Sequence, residues 1–415
     1  MLPSRDASRV DRRTFFKSAG VAALGATALA ACGSDSSSSS TSGTSGNRKV
    51  RLGFIALTDC APILMASELG YFAERGLDVS VVKQASWPAT RDALLNNQID
   101  GAHCLYSMPL SVATKIGGSG STALKVAMIL NNNGQAITLA KEFSSVGYAD
   151  LDKAKAALES KQPTLAMTFP GGTHDLWIRY WLRAAKVDMS AVKVIPIPPP
   201  QMVANMKVGT MTGYCVGEPW NAVAVSQNVG FTHLTTQDLW TGHPEKALVV
   251  GEKFATEQED ALRDTMGAIL KAARWLDDPA NRAKAVDVLA QQKYLNTPAA
   301  GIRGRLLGEY DFGAGIPGRT YPAAENMRFF GDGFVSAPRR GHALWALAQY
   351  QRLGLVDSVA DPEGLVNKIV LRGLYEEVAA AEKIDVPDDD LASFTVKLDG
   401  ASFDPKEFAK EVARV

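Results

Sequence analysis

The sequence predicts an α/β protein of two lobes, each built on a mostly parallel sheet. Three observations predict it. From residue 49 onward short apolar strands alternate with amphipathic helical stretches, the pattern that puts helices on both faces of a parallel sheet. The alternation breaks at a polar segment, 144–152, and then starts afresh. A chain of 415 residues exceeds one ordinary domain and suits two lobes of roughly 150–200 residues. The composition, 46% hydrophobic and 21% charged, is that of a globular body.

Two segments precede that body and are set apart from the fold. Residues 1–31 read as an export signal: Arg12-Arg13-Thr14-Phe15-Phe16-Lys17 has the twin-arginine form, and a small, apolar run follows over 21–31. That run is shorter than the ~20 apolar residues needed to cross a bilayer. Leu29-Ala30-Ala31-Cys32-Gly33 resembles a bacterial lipobox, which makes Cys32 the lipidated first residue of the mature chain. Residues 32–48 are rich in serine and glycine and read as a flexible tether. The expectation is a body held by a lipid anchor at the periplasmic or extracytoplasmic face of a membrane.

Within the body, 50–57 reads as a strand, 61–72 as a helix stopped near Gly70 and Gly76, and 77–82 as the next strand. Then come a helix over 88–96, a strand over 101–105, a helix over 108–116, and strands over 125–130 and 137–140. After the polar segment, 164–168 reads as a strand, 173–185 as a helix with an aromatic face, and 192–197 as a strand closed by three prolines. A helix over 201–208, a strand over 213–216, a helix over 220–227, a strand over 247–250 and a long helix over 260–276 complete the series. The division implied is 49–140 and 247–415 for the first lobe, the latter with a C-terminal extension, and 141–246 for the second.

Lysine plus arginine equals aspartate plus glutamate, 44 each, so no global field favours nucleic acid, and a charged ligand must be met locally. Cys60, Cys104 and Cys215 have neither zinc-site nor disulfide-framework spacing. Buried free thiols are expected, with a Cys60–Cys104 bridge as the alternative. Asp59 and Glu218 are loop carboxylates that invite an acid/base reading, but capping a helix or orienting neighbouring side chains suits them better than catalysis. Gly171-Gly172-Thr173 opens a helix and offers backbone N–H groups to an anion, yet it lacks the lysine and the spacing of a nucleotide loop. Ligands of such sheets sit beyond the carboxyl ends of the strands, where helix N-termini point.

Those loops carry a resemblance. Gly53-Phe54-Ile55-Ala56-Leu57-Thr58-Asp59-Cys60-Ala61-Pro62, Ala85-Ser86-Trp87, Asp100-Gly101-Ala102-His103-Cys104-Leu105-Tyr106, Asn133-Gly134-Gln135, Gly172-Thr173-His174-Asp175, Gly217-Glu218-Pro219-Trp220 and His243-Pro244-Glu245-Lys246-Ala247 stand in order. Together they resemble the nitrate- and bicarbonate-binding proteins of bacterial ABC importers, from about residue 49 to beyond 339. The resemblance implies a type II periplasmic-binding-protein fold, two lobes joined by a hinge and closing on the ligand. It implies no cofactor, no metal and no catalysis; the partners are a small oxyanion, an ABC permease with its ATPase subunits, and the membrane through the anchor, with the protein a monomer.

The resemblance also places the anion near Trp87, Gln135, His174 and Lys246, with Asp59, Tyr106, Thr173 and Glu218 around them. The residue types suit nitrate, a planar monoanion with three acceptor oxygens that needs donors from several directions and one compensating charge. Lys246 supplies the charge. Gln135 and His174 donate, the histidine from one nitrogen when neutral and with added charge when protonated. Trp87 offers its indole N–H or its ring plane. Bicarbonate-binding relatives carry an acidic residue near the position of Lys246, a glutamine near that of His174, and a metal-assisted site, and this sequence has neither substitution. Nitrate is therefore expected, then nitrite, ahead of bicarbonate and alkylsulfonates. A nitrate sensor and an enzyme of pyrimidine-precursor synthesis type are the other classes on this fold, and the export signal argues against both.

Overall fold

The computed structural model describes residues 48–161 and 163–414; the proposed signal, Cys32 and nearly all of the tether lie outside them. Arg48, the last residue assigned to the tether, already belongs to a strand. The first run is β1 (Arg48–Phe54), α1 (Ala61–Glu68), β2 (Leu77–Lys83), α2 (Trp87–Leu95), β3 (Gly101–Leu105), α3 (Met108–Ala113) and β4 (Leu124–Asn132). Prolines in the first turns of α1, α2 and α3 start these helices at no cost in hydrogen bonds, and the Ser86 hydroxyl caps α2 by accepting from Ala89 N at 3.3 Å. β4 is buried along its whole length, and its middle, 126–130, is an unbroken apolar run for that reason.

The second run is β5 (Gln135–Ala140), α4 (Leu151–Lys161), β6 (Thr164–Met167), α5 (Thr173–Ala184), β7 (Lys193–Pro196), α6 (Met202–Lys207), β8 (Gly213–Gly217), α7 (Trp220–Ser226), β9 (Gly230–Thr235) and α8 (Thr236–Leu239). Then β10 (Pro244–Gly251) leads into α9 (Glu252–Glu257), α10 (Glu259–Asp277), α11 (Pro279–Leu289), α12 (Ala299–Leu307) and, further on, α13 (Arg340–Arg352).

Two five-stranded sheets result, in the orders β2-β1-β3-β10-β4 and β7-β6-β8-β5-β9. Each is mixed: β10 runs against β3 and β4, and β5 runs against β8 and β9, while β1 is parallel to β2 and β3, and β6 to β7 and β8. The reversed strand in each sheet is the one that the chain enters from the other sheet. The outward crossing runs directly from β4 to β5, the return passes from β9 through α8 to β10, and the two are tied together: Asn133 N donates to His243 O at 3.2 Å, and Gly242 N to Asn133 Oδ1 at 2.8 Å. Asn133 and Gly134 both take positive φ, 62° and 86°, and a Cβ on Gly134 would sit 2.5 Å from Met327 Cε.

The lobe boundaries expected at 140 and 246 are corrected. β5 already lies in the second sheet, so the outward crossing is at 133–134, and β10 with Lys246 lies in the first sheet, so the return precedes Pro244. The polar segment taken as the boundary is a 3-10 turn (Lys141–Val146) and the lead into α4, inside the second lobe. A two-residue crossing leaves no mark in composition. β9, which had no counterpart in the sequence reading, forms the edge of the second sheet beside β5.

The C-terminal region is not confined to the first lobe either. Trp345 of α13 packs against Trp177 of α5 and Trp240 after α8, with ring centroids 5.7 and 4.9 Å away, while the Tyr350 hydroxyl, further along the helix, lies between Gly171 O of the second lobe and Ser107 O before α3, the latter at 3.1 Å. Phe394 stacks on Trp240 at 4.5 Å and Leu398 N donates to Leu239 O, so the tail rests on the second lobe. Cys60, Cys104 and Cys215 are all buried free thiols, and no described helix is long and apolar enough to cross a membrane.

Candidate functional site

The turn after β1, Thr58–Cys60, sets Asp59 at the carboxyl end of that strand, facing β3 and β10. Asp59 Oδ1 lies 2.6 Å from His103 Nε2 of β3, and Asp59 Oδ2 lies 2.8 Å from Lys246 Nζ of β10; all three side chains are fully buried. Lys246 also donates to Oε1 of its neighbour Glu245. Adjacent residues of a regular strand point to opposite faces, but β10 is irregular against β4 on both sides of Lys246, and that bulge brings Glu245 and Lys246 together.

The second lobe meets this group through the N-terminus of α5 and through β8 and β5. Thr173 Oγ1 donates to Glu245 Oε1 at 3.4 Å, and His174 Nε2 is 3.6 Å from the same oxygen, just beyond hydrogen-bond reach. Gly217 of β8 pairs with Gln135 of β5, and a Cβ on Gly217 would stand 3.0 Å from Asp59 Oδ2 and 3.6 Å from Lys246 Nζ. The glycine lets the second sheet close directly on the Asp59–Lys246 pair. Trp87, at the start of α2, lies on another side, with Lys246 Nζ 5.8 Å from its ring centre and the His103 ring 5.6 Å away.

Buried polar atoms are normally hydrogen-bonded, and here several are not. Trp87 Nε1, both amide atoms of Gln135, His174 Nε2 and Glu245 Oε2 are buried and lack protein partners. His174 Nδ1 is paired with Thr168 Oγ1; the tautomer that accepts the hydroxyl proton there carries its own on Nε2, on the Glu245 side. Trp87 and His174 thus border the Lys246–Glu245 pair, Gln135 stands beside Gly217, which closes on Lys246, and each of the three has an unsatisfied donor group.

The charges differ from the expectation. Lys246 is not a lone cation awaiting an anion: burial opposes its charge, but Asp59 and Glu245 outweigh burial and raise its pKa. Burial also opposes ionisation of Asp59, yet Lys246 and His103 bring it down to about 2. Glu245 goes the other way: burial pushes it up, Lys246 pulls against that, and the Asp59 charge adds to the rise, leaving it at about 7. Burial lowers the pKa of His174 and of His103, so the histidines are neutral donors rather than added charges.

Two of the surrounding residues face elsewhere. Tyr106 Oη donates to Arg339 O at 3.0 Å, and only its backbone N reaches the site's strand, at Glu245 O. Glu218 accepts from Ala222 N at 3.1 Å, in the first turn of α7, and pairs with Arg305 of α12 at 2.9 Å; its carboxylate orients neither Lys246 nor His174. In their place stand His103, Glu245 and Gly217, which the sequence reading left without a role. For Glu245 the signal is its place next to Lys246; the sequence reads 245 and 246 as loop before a strand at 247, whereas β10 already begins at Pro244.

The model of one family matches residues 43–290, which span both sheets and every residue of this cluster. The chain belongs to the NMT1-like family. Within reach of that family, the nitrate/nitrite binding protein NrtA of Synechococcus elongatus is 40% identical over 96% of each chain. The crystal structure of the periplasmic nitrate-binding protein NrtA from Synechocystis superposes with a TM-score of 0.82 at 35% identity, covering 88% of this chain and 97% of that one. The nitrate import ATP-binding protein NrtC of Synechocystis is 34% identical over 86% of this chain, which spans 53% of its length. The architecture is thus the periplasmic-binding-protein fold, with two mixed sheets of mostly parallel strands.

Proposed function

We propose that this protein is the solute-binding component of an ABC importer, taking up nitrate, and secondarily nitrite, between its two lobes. The observation that carries the reading is the set of buried, unsatisfied donors on Trp87, Gln135 and His174 around Lys246. They approach from different elements, as the three oxygens of a planar anion require, and Lys246 has a third N–H beyond those directed at Asp59 and Glu245. Nearly full-length likeness to nitrate/nitrite binding proteins supports the same ligand. The absence of an assigned nucleophile or cofactor motif in the sequence agrees with a binding role, and likeness to an import ATP-binding protein points to a permease and ATPase as partners. Export by the twin-arginine route and a lipid on Cys32, which rest on the sequence motifs, and a monomeric state, which rests on the family resemblance, complete the proposal.

Calorimetric titration of the purified chain with nitrate, nitrite, bicarbonate and taurine tests it. Saturable binding of nitrate and nitrite is expected, with weak or no binding of the other two. Bicarbonate bound in preference to nitrate overturns the ligand assignment.

A further inference from the structure

The candidate site holds one ammonium and two carboxylates, and an anion would add a further negative charge to it. Asp59 has both oxygens engaged, one by Lys246 at 2.8 Å and one by His103 at 2.6 Å. Glu245 is held on one side only. Its Oε1 takes Lys246 and Thr173, whereas Oε2 is buried without a partner in the same cluster as the unsatisfied donors of Trp87 and His174. An ionised Oε2 there would repel an incoming anion, and burial leaves that repulsion weakly screened. A protonated Oε2 would instead donate a hydrogen bond to it.

We propose that the anion enters together with one proton, which is carried by Glu245 and donated from Oε2 to the bound ligand. The inference rests on the anion-binding reading above and makes Glu245 a determinant of ligand class. The preferred ligand is a monovalent oxyanion too weakly basic to take the proton itself; a dianion such as sulfate would need a second proton that no group in the cluster is placed to supply. The groups facing Glu245 leave it as the carrier. Lys246 stays charged beside it, Asp59 is fixed as a carboxylate, His174 of α5 and His103 of β3 are pressed toward neutrality by burial, His243 before β10 likewise, and Cys215 of β8 is held as a thiol.

The sign follows from linkage. Proton uptake on binding means that affinity rises as pH falls through the range where the free protein has lost that proton but the complex keeps it. With the free carboxyl near 7, affinity is level below about pH 6 and drops by up to about tenfold per unit above about pH 8.

The test is calorimetric titration of the full chain with nitrate at about pH 6 in Bis-Tris and in imidazole, and at about pH 8 in triethanolamine and in Tris, cationic buffers whose ionisation enthalpies differ within each pair. Uptake of close to one proton at the higher pH and little at the lower is expected. In E245Q, a neutral donor of the same shape, the proton uptake should vanish and the dependence of affinity on pH should flatten. Wild-type binding with no difference between buffers at the higher pH overturns the proton coupling while leaving the nitrate reading intact. Uptake that persists in E245Q overturns Glu245 as carrier and moves the proton to His103 or His174. No nitrate binding by the wild-type chain at either pH overturns both readings.

Discussion

Lys246 lies between Asp59, Glu245 and the ring of Trp87, so its removal costs more than one contact with a ligand. Lys246→Ala leaves two buried carboxylates facing each other without a counter-charge. Affinity for nitrate should fall by roughly 2–5 kcal/mol, the range for truncating one partner of a buried charge pair, and thermal stability should fall with it; titration calorimetry and thermal unfolding read the two. Lys246→Ala that binds nitrate as tightly as the wild type would remove the lysine from the site. Gly217 makes a complementary case. A Cβ there meets Asp59 Oδ2 at 3.0 Å, a contact across the two lobes. Gly217→Ala should weaken nitrate binding by about 1–2 kcal/mol through overpacking of the closed form, with little change in the urea midpoint because the same methyl group has room once the lobes part.

At the level of elements, the crossings decide how the lobes are joined. Gly134 combines φ of 86° with a place against Met327, so Gly134→Ala strains the backbone and the packing at once. A loss of about 1–3 kcal/mol in urea unfolding is expected; an unchanged midpoint would mean that the crossing relaxes freely. The pairing of Asn133 with Gly242 and His243 joins the outward and return crossings. Helix α13 adds a second link, with Trp345 on one lobe and Tyr350 reaching the other.

For the whole molecule, the binding body and the proposed anchor are separate devices. Every described residue of the site lies in 59–246, whereas the proposed lipid is on Cys32, and a segment rich in serine and glycine follows it before the first strand. Cys32→Ser should therefore yield an unacylated protein released from the membrane fraction with nitrate affinity unchanged. Fractionation with labelled fatty acid checks it; undiminished label in the variant refutes the lipoprotein assignment. The buried cluster also ties binding to overall stability, because a ligand held only by the closed form raises the unfolding temperature as its concentration exceeds Kd.

The α/β alternation and the helices expected from 61, 88 and 108, which begin at Ala61, Trp87 and Met108, are legible in the sequence alone, and Trp87, Gln135, His174 and Lys246 are grouped there only through resemblance in the loops. These are legible because periodicity, capping and loop motifs are local, each written within about a dozen residues. Where the chain crosses between sheets, that β9 forms the edge of the second sheet, that α13 touches both lobes and that the tail rests on the second emerge only from the packing of distant segments. The tertiary structure alone turned Glu218 toward Arg305 and set Glu245 beside Lys246 against the alternation of a regular strand. Such facts depend on which distant strands adjoin and on how a bulge is forced by its neighbours. A buried charge likewise has no fixed meaning until its partners are known: one lysine between two carboxylates is a different electrostatic object from the lone cation its sequence context suggests.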